Sequence, residues 1–133
     1  ILDPRTGLGA AGTLSAPLSV REFAREVCQQ LDCTHLRVAG DLDRLIQRIG
    51  VIGGAGGDYA AQAAGKVDVL VTGDVKYHHV LEAQANGLIL IDAGHGATEK
   101  AIAPAIAHHL QEALPGLRTQ PFVEPEIFQV ILP

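Results

Sequence analysis

An imidazole and a carboxylate four residues apart, His95 and Glu99, follow the apolar run Leu88-Ile-Leu-Ile91 and the break Asp92-Ala-Gly94. On a helix that spacing puts both side chains on one face. There they can hold one divalent cation if other residues complete the shell. Such donors suit zinc, manganese, iron or cobalt alike. The competing reading is a polar helix entrance, with Glu99 favourable near the positive end of the helix dipole. Spacing alone leaves both readings open.

Thr72-Gly-Asp-Val-Lys-Tyr-His-His79 is a second dense stretch, in which Asp74 and His78 are also four apart. On a helix Asp74 would orient His78, and His78 would serve as a general acid or base near neutral pH. These two are the catalytic candidates. The plainer alternative makes Asp74 a helix cap and leaves two partly exposed histidines.

The run Gly53-Gly-Ala-Gly-Gly57 could turn backbone N–H groups toward an anion. It lacks the last glycine of a dinucleotide fingerprint, where Tyr59 stands, and the Lys-Ser or Lys-Thr of a P-loop. A tight strand-to-helix turn is the alternative. His108-His109 fall late in a helical pattern, where imidazoles complement the dipole. Glu124 and Glu126 flank Pro125 in a solvated tail. Cys28 and Cys33 lack metal-site spacing and read as reduced, partly buried thiols.

The elements that must position these residues alternate. Ser19-Val-Arg-Glu22 is a capping box, and Phe23, Val27 and Leu31 then recur at helical spacing to about Asp32. Strands are expected at 35–38, 46–52, 67–71 and 88–91, with further ones near 117–123 and from Phe128 to Leu132. Helices are expected at 58–65, 76–86 and from His95 to about 113, where Pro115-Gly116 stops the last. Pro104 implies a kink or a late start in that helix. Residues 1–18, rich in Gly, Ala, Pro and Ser, read as an N-terminal arm before an α/β domain over 19–133. Strand–helix alternation predicts an α/β layered sandwich with a mostly parallel sheet. Loops following parallel strands emerge at one edge, which gathers Gly53–Gly57, Thr72–Asp74 and Asp92–His95.

With 133 residues and 47% hydrophobic content, the chain can fill one core, although Ala, Val, Leu and Ile must do the packing because aromatics are only 4%. Net charge of −5 and scattered Lys and Arg give no basic stripe, so general nucleic-acid binding is not expected. No apolar run approaches membrane-spanning length, so no membrane partner is expected. The sequence contains no methionine and opens without a cap or targeting pattern, which suggests part of a longer or cleaved chain.

Three pieces together resemble the Nif-three-like family, also known as GTP cyclohydrolase I type 2 homologues. They are Thr72-Gly-Asp-Val-Lys-Tyr-His78, Ile91-Asp-Ala-Gly-His-Gly-Ala-Thr-Glu99, and Gly7-Leu-Gly9 with Gly12-Thr-Leu14 and the Pro17–Phe23 helix entrance. The resemblance runs from about residue 6 to about residue 113, and Glu124-Pro-Glu-Ile-Phe128 fits the family's ending less well. It implies an α/β sandwich and a dinuclear metal centre, two divalent ions per complete site. The family's Gly-His-x-x-x-Glu piece falls here on His95 and Glu99. The remaining ligands, a His-His pair and an aspartate, come from an earlier segment, and neither His78-His79 nor His108-His109 stands in that context. The expectation is therefore a metal-dependent hydrolase acting on a nucleotide or phosphate compound, with an incomplete site in these residues. The alternative is a non-catalytic metal-binding adaptor working through protein partners. A cytoplasmic homo-oligomer, commonly a hexamer, is implied in either case.

Overall fold

In a strand covered on both faces, successive side chains enter two different cores, and Val69–Thr72 and Ile89–Asp92 show the pattern. Val69, Val71, Ile89 and Ile91 join Ile46 and Ile49 against Val20, Phe23 and Ala24 of one helix. Leu70 and Leu90 face the other way, toward Ala60, Val67, Ala83 and Leu88. The result is a sheet sandwiched between helical layers. The computed structural model describes residues 7–125 and 127–131.

In chain order the elements are β1 (Ala10–Ser19), α1 (Val20–Gln30), β2 (Arg37–Ala39) and β3 (Leu45–Val51). A 3-10 turn (Gly57–Tyr59) then leads into α2 (Ala60–Ala63), β4 (Val69–Thr72), α3 (Tyr77–Ala85), β5 (Ile89–Asp92), α4 (His95–Glu99) and α5 (Ile102–Ala113). The sheet order is β1-β3-β4-β5-β2. β3, β4 and β5 run parallel, while β1 and β2 pair antiparallel to β3 and β5 at the two edges. The parallel centre agrees with the strand–helix alternation; both edges depart from it.

The stretch read as an arm carries β1. Its register against β3 is regular from Ala10↔Val51 to Thr13↔Arg48, then shifts before Leu18↔Ile46. Pro17 sits in the shifted part, a position an edge strand tolerates because no ladder donor is needed there. Ser19 caps α1 as its spacing predicts, accepting from the Glu22 N–H while Glu22 reaches back to the Ser19 N–H.

The long helix expected after His95 is two helices, α4 and α5, with Pro104 in the first turn of the second. No strand forms at 117–123 or among the described residues from Phe128, and Pro121 and Pro125 withhold N–H donors there. Residues 1–6, Glu126, Leu132 and Pro133 lie outside the described residues. No helix among those described is long and apolar enough to cross a membrane.

Candidate metal centre

Parallel β3, β4 and β5 deliver three loops to one edge of the sheet, and hydrogen bonds fuse them. The fully buried Thr72 hydroxyl donates to the Gly54 carbonyl at 2.9 Å and accepts the Gly56 N–H at 2.8 Å. Gly73 N–H also reaches the Gly54 carbonyl, at 2.8 Å. On the other side, Gly54 N–H donates to the Thr98 hydroxyl of α4 at 2.9 Å. The N–H groups of Gly54 and Gly56 are thus committed inside the protein. Their geometry matches a packing turn, and an anion would have to break these bonds to use them.

Asp92, buried at the end of β5, ties the second and third loops together. One carboxylate oxygen accepts the Val75 N–H at 3.1 Å and pairs with Arg37 of β2. The other accepts the Gly94 N–H at 3.0 Å. This fixes the turn that starts α4.

At that start His95 is exposed and lies between two carboxylates. Its Nδ1 is 2.7 Å from Asp74 Oδ2, and its Nε2 is 3.1 Å from Glu99 Oε2. The Asp74 hydrogen bond, with help from the Glu99 charge, holds the imidazole above its ordinary pKa against a smaller effect of burial. Protonated, the ring donates to both carboxylates. Neutral, with its hydrogen kept on Nδ1 by Asp74, it turns the Nε2 lone pair toward Glu99. The pair is pressed against the glycine loop: a Cβ on Gly54 would stand 2.4 Å from Glu99 Oε1 and 3.1 Å from His95 Nε2.

His95 and Glu99 therefore share a face, as their spacing predicts. Asp74 does not orient His78. It lies before α3, with a left-handed φ of +53°, so the helical i, i+4 rule does not apply and its side chain meets His95 instead. Nor does Asp74 cap α3. Lys76 is the residue at that position, and its N–H is taken by His79 Nδ1 at 3.2 Å.

His79, expected to be partly exposed, is buried, and its Nε2 meets Asp58 Oδ1 at 2.8 Å. That bond holds the Asp58 carboxyl below its ordinary pKa. His78 remains exposed, packed edge-on to the His79 ring with centroids 4.3 Å apart. Asp58, His78 and His79 each offer an atom within 4.8 Å of the others, a second spacing that could hold a metal ion. For His79 the cost is specific. Its Nδ1 already accepts an N–H, so the ring hydrogen sits on Nε2, the atom that would have to bind.

Thr72 and Asp92 enter the sequence reading only within the loop groups Thr72–Asp74 and Asp92–His95, and Thr98 and the Asp58–His79 contact have no part in it as site features. The available signal was polar residues closing apolar strands, Thr72 on β4 and Asp92 on β5. His108 and His109 lie on exposed α5, where His108 faces Glu112 one turn on at 3.4 Å.

Comparison with known proteins bears on the fold and the family. Curated proteins named GTP cyclohydrolase 1 type 2 homolog match at 38% identity over 109 residues in Halalkalibacterium halodurans, covering 81% of this chain and 29% of that protein. The Streptomyces coelicolor homologue is 43% identical over 104 residues, covering 73% of this chain and 36% of that protein. The chain thus spans about a third of the length of these relatives. The crystal structure of a Bacillus cereus protein related to NIF3 superposes with a TM-score of 0.78 at 36% identity, covering 90% of this chain and 36% of that one. The family model Duf34/NIF3 (NGG1p interacting factor 3) matches residues 1–125. The chain belongs to the Duf34/NIF3 family.

Proposed function

We propose that this chain contributes His95 and Glu99 to a divalent-metal centre, with Asp74 as the residue that orients His95. The observation that carries the reading is the carboxylate on Nδ1, which leaves Nε2 as the donor atom facing Glu99. A neutral imidazole and a carboxylate about 3 Å apart fit a zinc, manganese, iron or cobalt ion without favouring one. The count of two ions follows from the family resemblance, and further ligands would come from outside these residues.

In the same reading the centre serves hydrolysis of a nucleotide or phosphate compound, in a cytoplasmic homo-oligomer. A divalent ion held by His95 and Glu99 would supply Lewis-acid activation there. Asp74 keeps the His95 ring in one tautomer, Gly54 leaves room for the Glu99 carboxylate, and exposed His78 is available for proton transfer. Among the described residues the Gly54 and Gly56 N–H groups are engaged, so phosphate recognition falls to other groups.

A specific observation also supports the adaptor reading: Ile102, Ile106, Leu110 and Leu114 of the α5 region are all exposed at helical spacing. The two are separated by His95→Ala, which abolishes only hydrolysis in the first reading and disrupts assembly and partner binding in the second.

The metal assignment is tested by elemental mass spectrometry on the purified chain after equilibrium dialysis against zinc or manganese, which registers weak binding by a partial site. Retained metal lost in His95→Ala and in Glu99→Ala, but kept in His79→Ala, is the expected result. Metal lost in His79→Ala and kept in His95→Ala would move the site to Asp58, His78 and His79.

A further inference from the structure

Cys28, on the last turn of α1, and Cys33, just beyond it, place their sulfurs 3.3 Å apart. Both are half-buried free thiols. The closeness is built by the backbone. α1 ends at Leu31, Asp32 turns the chain with a left-handed φ of +46°, and the Cys33 N–H donates back to the Cys28 carbonyl at 3.1 Å. That folds the sixth residue of the segment over the first. The Cys28 thiol donates to the Cys33 carbonyl at 2.9 Å, and the Cys33 thiol donates to the Cys28 sulfur. Asp32, between them, accepts from Lys100 at the end of α4 through its carbonyl, at 3.1 Å.

We propose that Cys28 and Cys33 form a reversible dithiol–disulfide pair that exchanges with a low-molecular-weight disulfide such as oxidised glutathione. The Cys28 thiolate attacks one sulfur of the small disulfide and releases one thiolate, leaving a mixed disulfide on Cys28. Cys33 loses its proton and attacks Cys28 Sγ, displacing the second small thiolate. The two cysteines are oxidised, one small disulfide is reduced to two thiols, and the two protein protons go to those thiols. Cys28 takes the first step because its thiolate keeps the hydrogen bond from Cys33. Burial, followed by donation to Cys28, pushes the Cys33 thiol up to about 11, so it holds its proton until the second step. Closing the bond brings the sulfurs to about 2.05 Å, a movement of roughly one ångström in a surface turn.

The test equilibrates the folded chain, and the chain in urea, with mixtures of reduced and oxidised glutathione and reads intact mass and free thiols. The expected product has lost two hydrogens, carries no free thiol, and reverts with reductant. Its closure constant is ~10-fold or more above that of the unfolded chain, because the fold holds the sulfurs together. Cys33→Ser should stop at a glutathione adduct on Cys28. Persistent free thiols, separate adducts on both cysteines, chain-to-chain disulfides, or a closure constant no greater than in urea would each overturn the proposal.

Discussion

His79 and His95 follow successive parallel strands, each on the helix after its strand, yet the fold treats them oppositely. His79 is buried, and both ring nitrogens are consumed by the protein's own architecture, one by the start of α3 and one by Asp58. His95 is exposed, and both nitrogens face carboxylates rather than backbone. A backbone N–H fixes a tautomer whose outer atom carries hydrogen. A carboxylate fixes the opposite tautomer, whose outer atom is a lone pair. Equivalent topology thus gives one histidine locked into the packing and one whose neutral ring would turn a lone pair outward, and the inner partner makes the difference.

The largest break in this comparison should come from Gly57, where a Cβ would stand 2.1 Å from His79 Nδ1. Gly57→Ala should cost about 3 kcal/mol in urea unfolding, because the buried ring has no room to give. His79→Ala should cost about 2 kcal/mol, from lost packing and an uncapped Lys76 N–H, with metal affinity little changed. Asp74→Asn should do the reverse. Asn tolerates the left-handed backbone, so stability should stay within ~0.5 kcal/mol, while metal affinity by titration calorimetry falls ~10-fold or more.

A further effect is an acid one that should not discriminate between the regions. Burial pushes the Asp68 carboxyl up, but the Arg48 and Gln47 N–H groups and the Arg48 guanidinium together outweigh it and hold it at about 2, against an ordinary 3.8. A depressed folded pKa stabilises fully above the unfolded value. That stability should fade as pH falls from about 4 to about 2, and it should be missing from the pH profile of Asp68→Asn.

Much of this layout was legible in the sequence because apolar runs and helix stops are local signals. The alternation places β3, β4, β5, α1 and α3 within a few residues, and the Ser19–Glu22 box marks the start of α1 correctly. β1 was not legible. Its Gly, Ala, Pro and Ser content carries no period, and its strand state comes from pairing with β3. The His95–Glu99 face was legible because both residues lie on α4. The Asp74 contact was not, because it depends on a left-handed turn outside any helix. Nothing in the adjacent pair His78-His79 tells which histidine is buried; packing against Gly57 decides it.

The most direct test of the central claim is manganese-induced broadening of histidine ring signals by NMR, which registers even weak binding. Assignments would come from the single His→Gln variants. Sub-stoichiometric manganese should broaden the His95 ring first and the His78 and His79 rings only at higher manganese, an order that should be lost in Glu99→Gln. Broadening of His78 and His79 ahead of His95 would contradict it.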